Sequence, residues 1–242
     1  MAIDSITNRL RLLTSVMVLP HRSPVLTAKI LATIDVLSGG RLDVGCGVGW
    51  MKEEFEAIGA PDFSERGAVG SEYLRAFKEL WTSNDPSFEG KYCDFSNISF
   101  LPKPLQRPHP PIWVGGHTGP AIRRAAKLGD GWMPIGLRPP AILEPEEMAA
   151  KIAQLRRATV GAGRPEDAVD ITFSTGVRFD DSPLPSRQML SGRPEQIAAD
   201  LRQYRDLGVK NFILGFPGED TSTLQQNMEK FSRQVMPLIP AD

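Results

Sequence analysis

Two glycine-dense segments hold the residues best suited to chemistry. The first is Leu42-Asp43-Val44-Gly45-Cys46-Gly47-Val48-Gly49, and the second is Val114-Gly115-Gly116-His117-Thr118. Glycine has no Cβ and tolerates unusual backbone angles, so both segments let main-chain amides approach a bound cofactor closely. The second segment stands directly before a helical pattern, where amides at a helix N-terminus would cradle a phosphate. Thr118 adds a hydroxyl there, and His117 reads either as a phosphate or substrate contact or as an exposed loop histidine. The spacing G-x-G-x-G at 45–49 departs from the dinucleotide fingerprint G-x-G-x-x-G.

Other site chemistries lack carriers. The three histidines, His21, His109 and His117, stand in no ligand spacing, and neither a Ser-His-Asp set nor a P-loop is present. No metal site is therefore expected, and no general acid or base is assigned. Trp50, Trp113 and Trp132 fall at strand ends, where core or pocket wall is the ordinary role. Glu53 and Glu54 open a helix, where carboxylates suit the dipole whatever the function; the alternative is a proton donor at the pocket rim. Arg123, Arg124 and Lys127 read as a solvated helix face, with Arg123 a candidate support for a phosphate, and Asp130 as a loop residue before a strand. Residues 42–49 also look like the first motif of S-adenosylmethionine-dependent methyltransferases. That fold needs a second strand soon after its first helix, ending in an acid for the ribose hydroxyls. Residues 51–81 show helix and turn patterns with no β-branched run, which leaves the methyltransferase a remote alternative.

Composition narrows the partners. Of 242 residues, 41% are apolar and 24% charged, and 28 Lys+Arg balance 29 Asp+Glu. That balance offers no electrostatic footprint for nucleic acid or for an anionic membrane. Cys46 and Cys93 cannot form a disulfide framework, so a reducing, cytoplasmic compartment is expected. Arg9 and Arg11 precede an apolar run to Leu19 in the manner of a signal peptide, but Pro20-His21-Arg22-Ser23-Pro24 follows in place of a cleavage site. The run reads as a buried strand.

The elements that must position these segments alternate. Strands are expected over Leu10–Leu19, Arg41–Val44, Ile112–Val114, Gly131–Pro134, Val169–Val177 and Phe212–Gly215. Helices are expected from Pro24, over Met51–Ile58, Ser64–Trp81, Gly119–Leu128, Pro145–Val160, Arg193–Leu207 and Thr221–Met236. Six strands each followed by a helix imply βαβ units and a parallel sheet. Between residues 82 and 111 the rhythm breaks. A small hairpin is expected from Phe88–Tyr92 and Ile98–Phe100, followed by five prolines from Pro102 to Pro111, the whole read as an inserted rim loop.

Four blocks in matching order carry a family resemblance. They are R-L-R-L-L-T-S-V-M-V-L-P-H-R-S-P from Arg9, A-T-I-D-V-L-S-G-G-R-L-D-V-G-C-G-V-G-W, P-K-P-L-Q-R-P-H-P-P-I-W-V-G-G-H-T over Pro102–Thr118, and A-A-K-L-G-D-G-W-M-P over Ala125–Pro134. Together they resemble the bacterial luciferase-like monooxygenase superfamily, in its coenzyme F420-dependent oxidoreductase branch. The resemblance implies an α/β TIM (β/α)8-type barrel over residues 1–242 as one domain, with the cofactor at the C-terminal face of the strands. It implies that Thr14, Ser15 and Val16 form a bulge, often with a non-prolyl cis peptide, behind the cofactor ring. It places Gly47, Val48 and Gly49 beside the cofactor, and Gly115, Gly116, His117 and Thr118 around its phosphate region. The implied reaction is hydride transfer between F420 and a small organic substrate. Alternatives are an FMN-dependent monooxygenase of the same fold and a flavin-binding relative without turnover. A homodimer is a further implication, with substrate choice in rim loops such as 82–111 and 178–192.

The same resemblance makes the length informative. A complete barrel of this type takes about 250 residues, roughly 30 per βα unit. Only eight residues precede the segment matching the family's third strand. The expectation is therefore six of eight βα units, the first two missing through a mis-set start codon or a fragment, with a natural six-unit barrel as the alternative and apolar strand edges left open.

Overall fold

The first expected strand is broken in two. In the computed structural model, which describes residues 6–137, 141–180 and 188–239, β1 (Leu12–Leu13) and β2 (Met17–Val18) both pair in parallel with β3 (Leu42–Gly47). Leu13 lies opposite Asp43, and Met17 opposite Cys46. Thr14, Ser15 and Val16 thus face only Val44 and Gly45, which is a one-residue bulge. The peptide bond Ser15–Val16 within it is cis. These strand residues are half-buried, in contrast to the fully buried run expected.

β3 also runs three residues further than its sequence pattern predicts, to Gly47. The extension Gly45-Cys46-Gly47 is strand because it is paired on both sides, with β2 and with β4 (Ile112–Gly115), where Gly45 lies opposite Trp113 and Cys46 opposite Val114. Two flanking ladders outweigh the low strand preference of glycine.

The chain divides into two compact units, Met1–Trp132 and Met133–Asp242. In the first, α1 (Pro24–Leu37), α2 (Lys52–Ala57), α3 (Arg66–Thr82) and α4 (Gly119–Leu128) follow the strands. Proline occupies the first turn of both α1 and α4, where its missing N–H has no helical partner to lose. The core joins Val44, Cys46, Ile112 and Val114 to Leu31, Leu74, Phe77, Leu80, Trp81 and Ile122. Tyr73, Phe77 and Leu80 share one stripe of α3 and are buried, as 3.6-residue periodicity requires.

The segment after α3 forms a different hairpin from the one expected. Phe88 exchanges both backbone hydrogen bonds with Phe95, and residues 98–100 take no part. The reason lies in α3. The buried carboxylate of Glu72 accepts the backbone N–H groups of Lys91, Tyr92 and Cys93 at 3.1, 2.6 and 2.8 Å. The turn wraps that carboxylate, and Gly90 sits so close that a Cβ there would meet Glu72 Oε1 at 2.4 Å. Further along, the fully buried Asp35 of α1 accepts the N–H groups of Leu105 and Gln106 and the Gln106 side-chain amide. Lys103 Nζ donates to the carbonyls of Leu80 and Ser83.

In the second unit, β6 (Asp170–Gly176) pairs in parallel with β9 (Asn211–Gly215), from Thr172 opposite Asn211 to Gly176 opposite Gly215. α5 (Pro145–Gly161), α6 (Pro194–Asp206) and α7 (Thr221–Gln234) are its helices. Tyr204 is buried against Phe173 and donates its hydroxyl to the Leu143 carbonyl at 2.8 Å. A short parallel pair that the sequence pattern does not announce, β7 (Arg178–Phe179) with β8 (Ser191–Gly192), is pinned by the Asp200 carboxylate accepting the Leu190 N–H at 2.7 Å. β5 (Gly131–Met133) falls at the boundary of the units. The six expected strand–helix pairs are thus all present among the described residues. Part of the expected rim loop 178–192, namely 181–187, lies outside them.

Candidate functional site

The bulge decides what the strand ends present. Thr14 Oγ1 donates to the Gly45 carbonyl at 2.7 Å and ties the bulge to β3. Val16 then lays its two methyl groups along the ends of β3 and β4. A Cβ on Gly47 would come within 3.0 Å of Val16 Cγ2, and one on Gly115 within 3.2 Å of Val16 Cγ1 and 3.3 Å of the Cys46 carbonyl. Glycine at both positions lets the three strand ends meet without displacing Val16. Ser15, beside Val16, is exposed. Four of the expected site residues, Ser15, Val16, Gly47 and Gly115, are therefore neighbours, and Thr14 anchors them.

Val48 and Gly49 turn elsewhere. A Cβ on Gly70 of α3 would meet the Val48 side chain at 2.6 Å, so that side chain points into the helix layer and leaves only backbone for a ligand. Gly49 has φ +82°, and a Cβ there would strike the Phe55 ring at 2.7 Å. Its glycine serves the turn into α2.

The second segment is held from the next strand. Trp132, fully buried, donates its indole N–H to the Gly116 carbonyl at 2.7 Å, and Gly116 has φ +94°. Thr118 is the N-cap of α4, is exposed and makes no side-chain cap bond. The first helical hydrogen bond runs from Ile122 N–H to the Thr118 carbonyl, so the amides of Gly119 and Ala121 lie ahead of it as first-turn donors. His117 is half-buried.

Trp50 is 80% exposed, whereas Trp113 is half-buried with its ring over Gly131. Glu53 and Glu54 are exposed at the start of α2, as a dipole role predicts. Asp130 accepts the Ile112 N–H at 2.8 Å, a structural duty at the entry to β4. Arg124 is the clear correction. It does not share a solvated face with Arg123 and Lys127. It is 8% exposed and donates to Ser71 Oγ at 3.0 Å and to the Gly67 carbonyl at 2.9 Å. Small residues on α3 leave room for the guanidinium, a neighbourhood that α4's own sequence does not reveal. Burial pushes its pKa down, and nearby Arg66 adds to the effect. Cys46, wholly buried beneath the bulge, has its thiol pushed up to about 12 by desolvation.

The second unit offers a further strand-end feature that sequence reasoning missed. A cavity of about 320 Å³ opens beyond the C-terminal ends of β6 and β9, between Gly176, Arg178, Gln188, Gly215 and Phe216. The only available signal was a glycine ending each strand.

Parallel strands alternating with helices define an α/β protein. Residues 2–184 match the family described as luciferase-like monooxygenase, and the chain belongs to that family. It is 30% identical over 286 residues to an FMNH2-dependent dimethylsulfone monooxygenase of Pseudomonas putida, across 98% of this chain and 76% of the relative. Among solved structures it is similar to a monooxygenase from Streptomyces bottropensis, with TM-score 0.80 and 24% identity over 98% of this chain and 80% of the other. It also resembles an F420-dependent secondary alcohol dehydrogenase, with TM-score 0.83 and 16% identity over 99% and 82% of the two chains. These likenesses establish the luciferase-like TIM-barrel fold. Among the described residues no helix is long and apolar enough to cross a membrane.

Proposed function

We propose that this chain is an oxidoreductase of the luciferase-like type that binds coenzyme F420 and transfers hydride between it and a small organic substrate. The reading takes residues 1–242 as one domain. The observation that carries it is the meeting of Ser15, Val16, Gly47 and Gly115 at the strand ends, next to an α4 N-terminus with donors to spare.

The residues present fit such a cofactor. The Thr118 hydroxyl and the amides of Gly119 and Ala121 would hold its phosphate, with the α4 dipole favouring the charge. The bulge at Thr14–Val16 would back the ring, its apolar Val16 methyls excluding water from that face. When bound, the group supplies the hydride chemistry itself, and the protein supplies position, polarity and dryness.

FMN-dependent monooxygenation is the second reading, favoured by the 30% identity to an FMNH2-dependent enzyme. The experiment that tests both is titration of the purified chain with F420 and with FMN, followed by visible absorbance and fluorescence. Saturable binding of F420, and its reoxidation on mixing the reduced complex with a carbonyl acceptor, is expected. Tighter binding of FMN with oxygen-dependent turnover would favour the second reading, and no saturable binding of either would sink both.

A further inference from the structure

A groove runs between α3 and α4. Its volume is about 490 Å³. Gly67, Ser71 and Arg75 line one wall at a spacing of four residues, and Pro120, Arg123 and Lys127 line the other. Gly67 and Pro120 each lie in the first turn of their helix, so the groove starts at the helix N-termini and descends the helix layer. Thr118, where the phosphate is placed, is two residues from Pro120.

Its charge is one-sided. Arg75, Arg123, Arg124 and Lys127 line it, and no Asp or Glu does. None of these four cations has an ion pair among the described residues. Arg124 forms the floor, buried yet bonded only to neutral oxygens. A guanidinium stays protonated under all ordinary conditions, so a buried one without a counter-ion carries an uncompensated desolvation cost. Beside it, Arg66 Nε is also buried without a hydrogen-bond partner. Structural cations are normally paired, and this set is arranged for an anion that arrives from outside.

The chemistry on offer is a chain of charges rather than one. α3 spans about 12 Å from Gly67 to Arg75 at 1.5 Å per residue, far longer than a single phosphate. FMN ends at its phosphate, whereas F420 continues into a lactyl-oligoglutamate tail with a carboxylate on each residue. We infer that the groove between α3 and α4 binds the oligoglutamate tail of F420 through Arg75, Arg123, Arg124 and Lys127. This rests on the F420 reading of the site and would make the groove the element that separates F420 from FMN.

The test compares wild type with the triple variant Arg75→Ala, Arg123→Ala, Lys127→Ala. All three residues are exposed, and Arg124 is left in place. Dissociation constants are measured by fluorescence and calorimetry for long-tailed F420, for its tail-less deazaflavin precursor, for FMN, for a free γ-glutamyl tripeptide and for inorganic phosphate. Long-tailed F420 is expected to lose about tenfold in affinity in the variant and to weaken with salt in wild type, as exposed charge pairs do. FMN and the tail-less precursor should change less than twofold, and the tripeptide should bind wild type better than phosphate does and lose that binding in the variant. Equal affinity of both proteins for long-tailed F420 overturns the groove while leaving the cofactor reading intact. If neither cofactor binds wild type, the cofactor reading falls, and the tripeptide decides the groove by itself: binding lost in the variant upholds an oligocarboxylate groove, and no binding overturns it.

Discussion

Irregular backbone is held in place by opposite means in two regions of the first unit. In the segment 83–111, two buried carboxylates do the holding: Glu72 gathers three backbone N–H groups and Asp35 gathers two with a side-chain amide. At the strand ends, the fit of Val16 against Gly47 and Gly115 does it, with one hydroxyl bond from Thr14. The first region is fixed by charge-assisted hydrogen bonds that a loop without regular pairing would otherwise lack. The second is fixed by the absence of two Cβ atoms, which lets the Val16 methyls close on the strand ends. A scaffold loop tolerates saturating its amides with protein, whereas a binding surface must keep some donors unspent, as the phosphate cradle proposed at the α4 N-terminus would.

Substitution breaks the two regions differently. Glu72→Ala strands three N–H groups around a buried site and should cost about 3 kcal/mol or more in urea denaturation. Glu72→Gln keeps one acceptor oxygen and should cost less. If the alanine variant unfolds at the wild-type midpoint, the carboxylate is not what holds the hairpin. Gly49→Ala combines a positive φ with a clash against Phe55 and should cost about 2 kcal/mol.

Gly47→Ala requires Val16 to give way by a few tenths of an ångström and should cost about 1 kcal/mol. Cofactor affinity should fall with it, and the double variant with Val16→Ala should recover much of the stability. An additive double-mutant cycle would break the claim that these residues share one contact.

Cys46 sharpens the same comparison through pH. Its thiol is raised from 9.0 to about 12 in the fold by burial. At high pH the unfolded chain therefore releases this proton first. Its contribution to stability is complete below pH 9 and is lost as pH rises toward 12, at up to about 1.4 kcal/mol per unit. The Cys46→Ala variant should show a shallower decline between pH 9 and 11 in the same denaturation series, and identical slopes would contradict it. The smallest effect belongs to Arg11, half-exposed, which binds both oxygens of Asp43 at 2.7 and 2.8 Å and reaches Gln106. Arg11→Ala should cost about 0.5–1 kcal/mol, the range for exposed pairs.

Much of this was legible in the amino-acid order because it depends on neighbours along the chain. Apolar spacing, proline at helix starts and glycine at helix ends locate the six strand–helix pairs to within a few residues. The cis bond at Ser15–Val16 stands where the family resemblance expects one. What the order could not show is which residues meet across the chain. Glu72 and Asp35 look like ordinary surface acids of helices until residues 91–93 and 105–106 fold onto them, and Phe88 pairs with Phe95 for the same reason. β3 extends through its glycines only because strands flank it on both sides. Arg124 reads as one of three solvated cations, and only the packing of α4 on α3 turns it inward and leaves its charge facing a groove. Sequence by itself thus determined the rhythm, the family and the glycines at the strand ends, since local conformational preference is written in residue types. Tertiary structure alone decided which charges are buried and which donors remain unspent, because burial is a property of the neighbours and not of the residue.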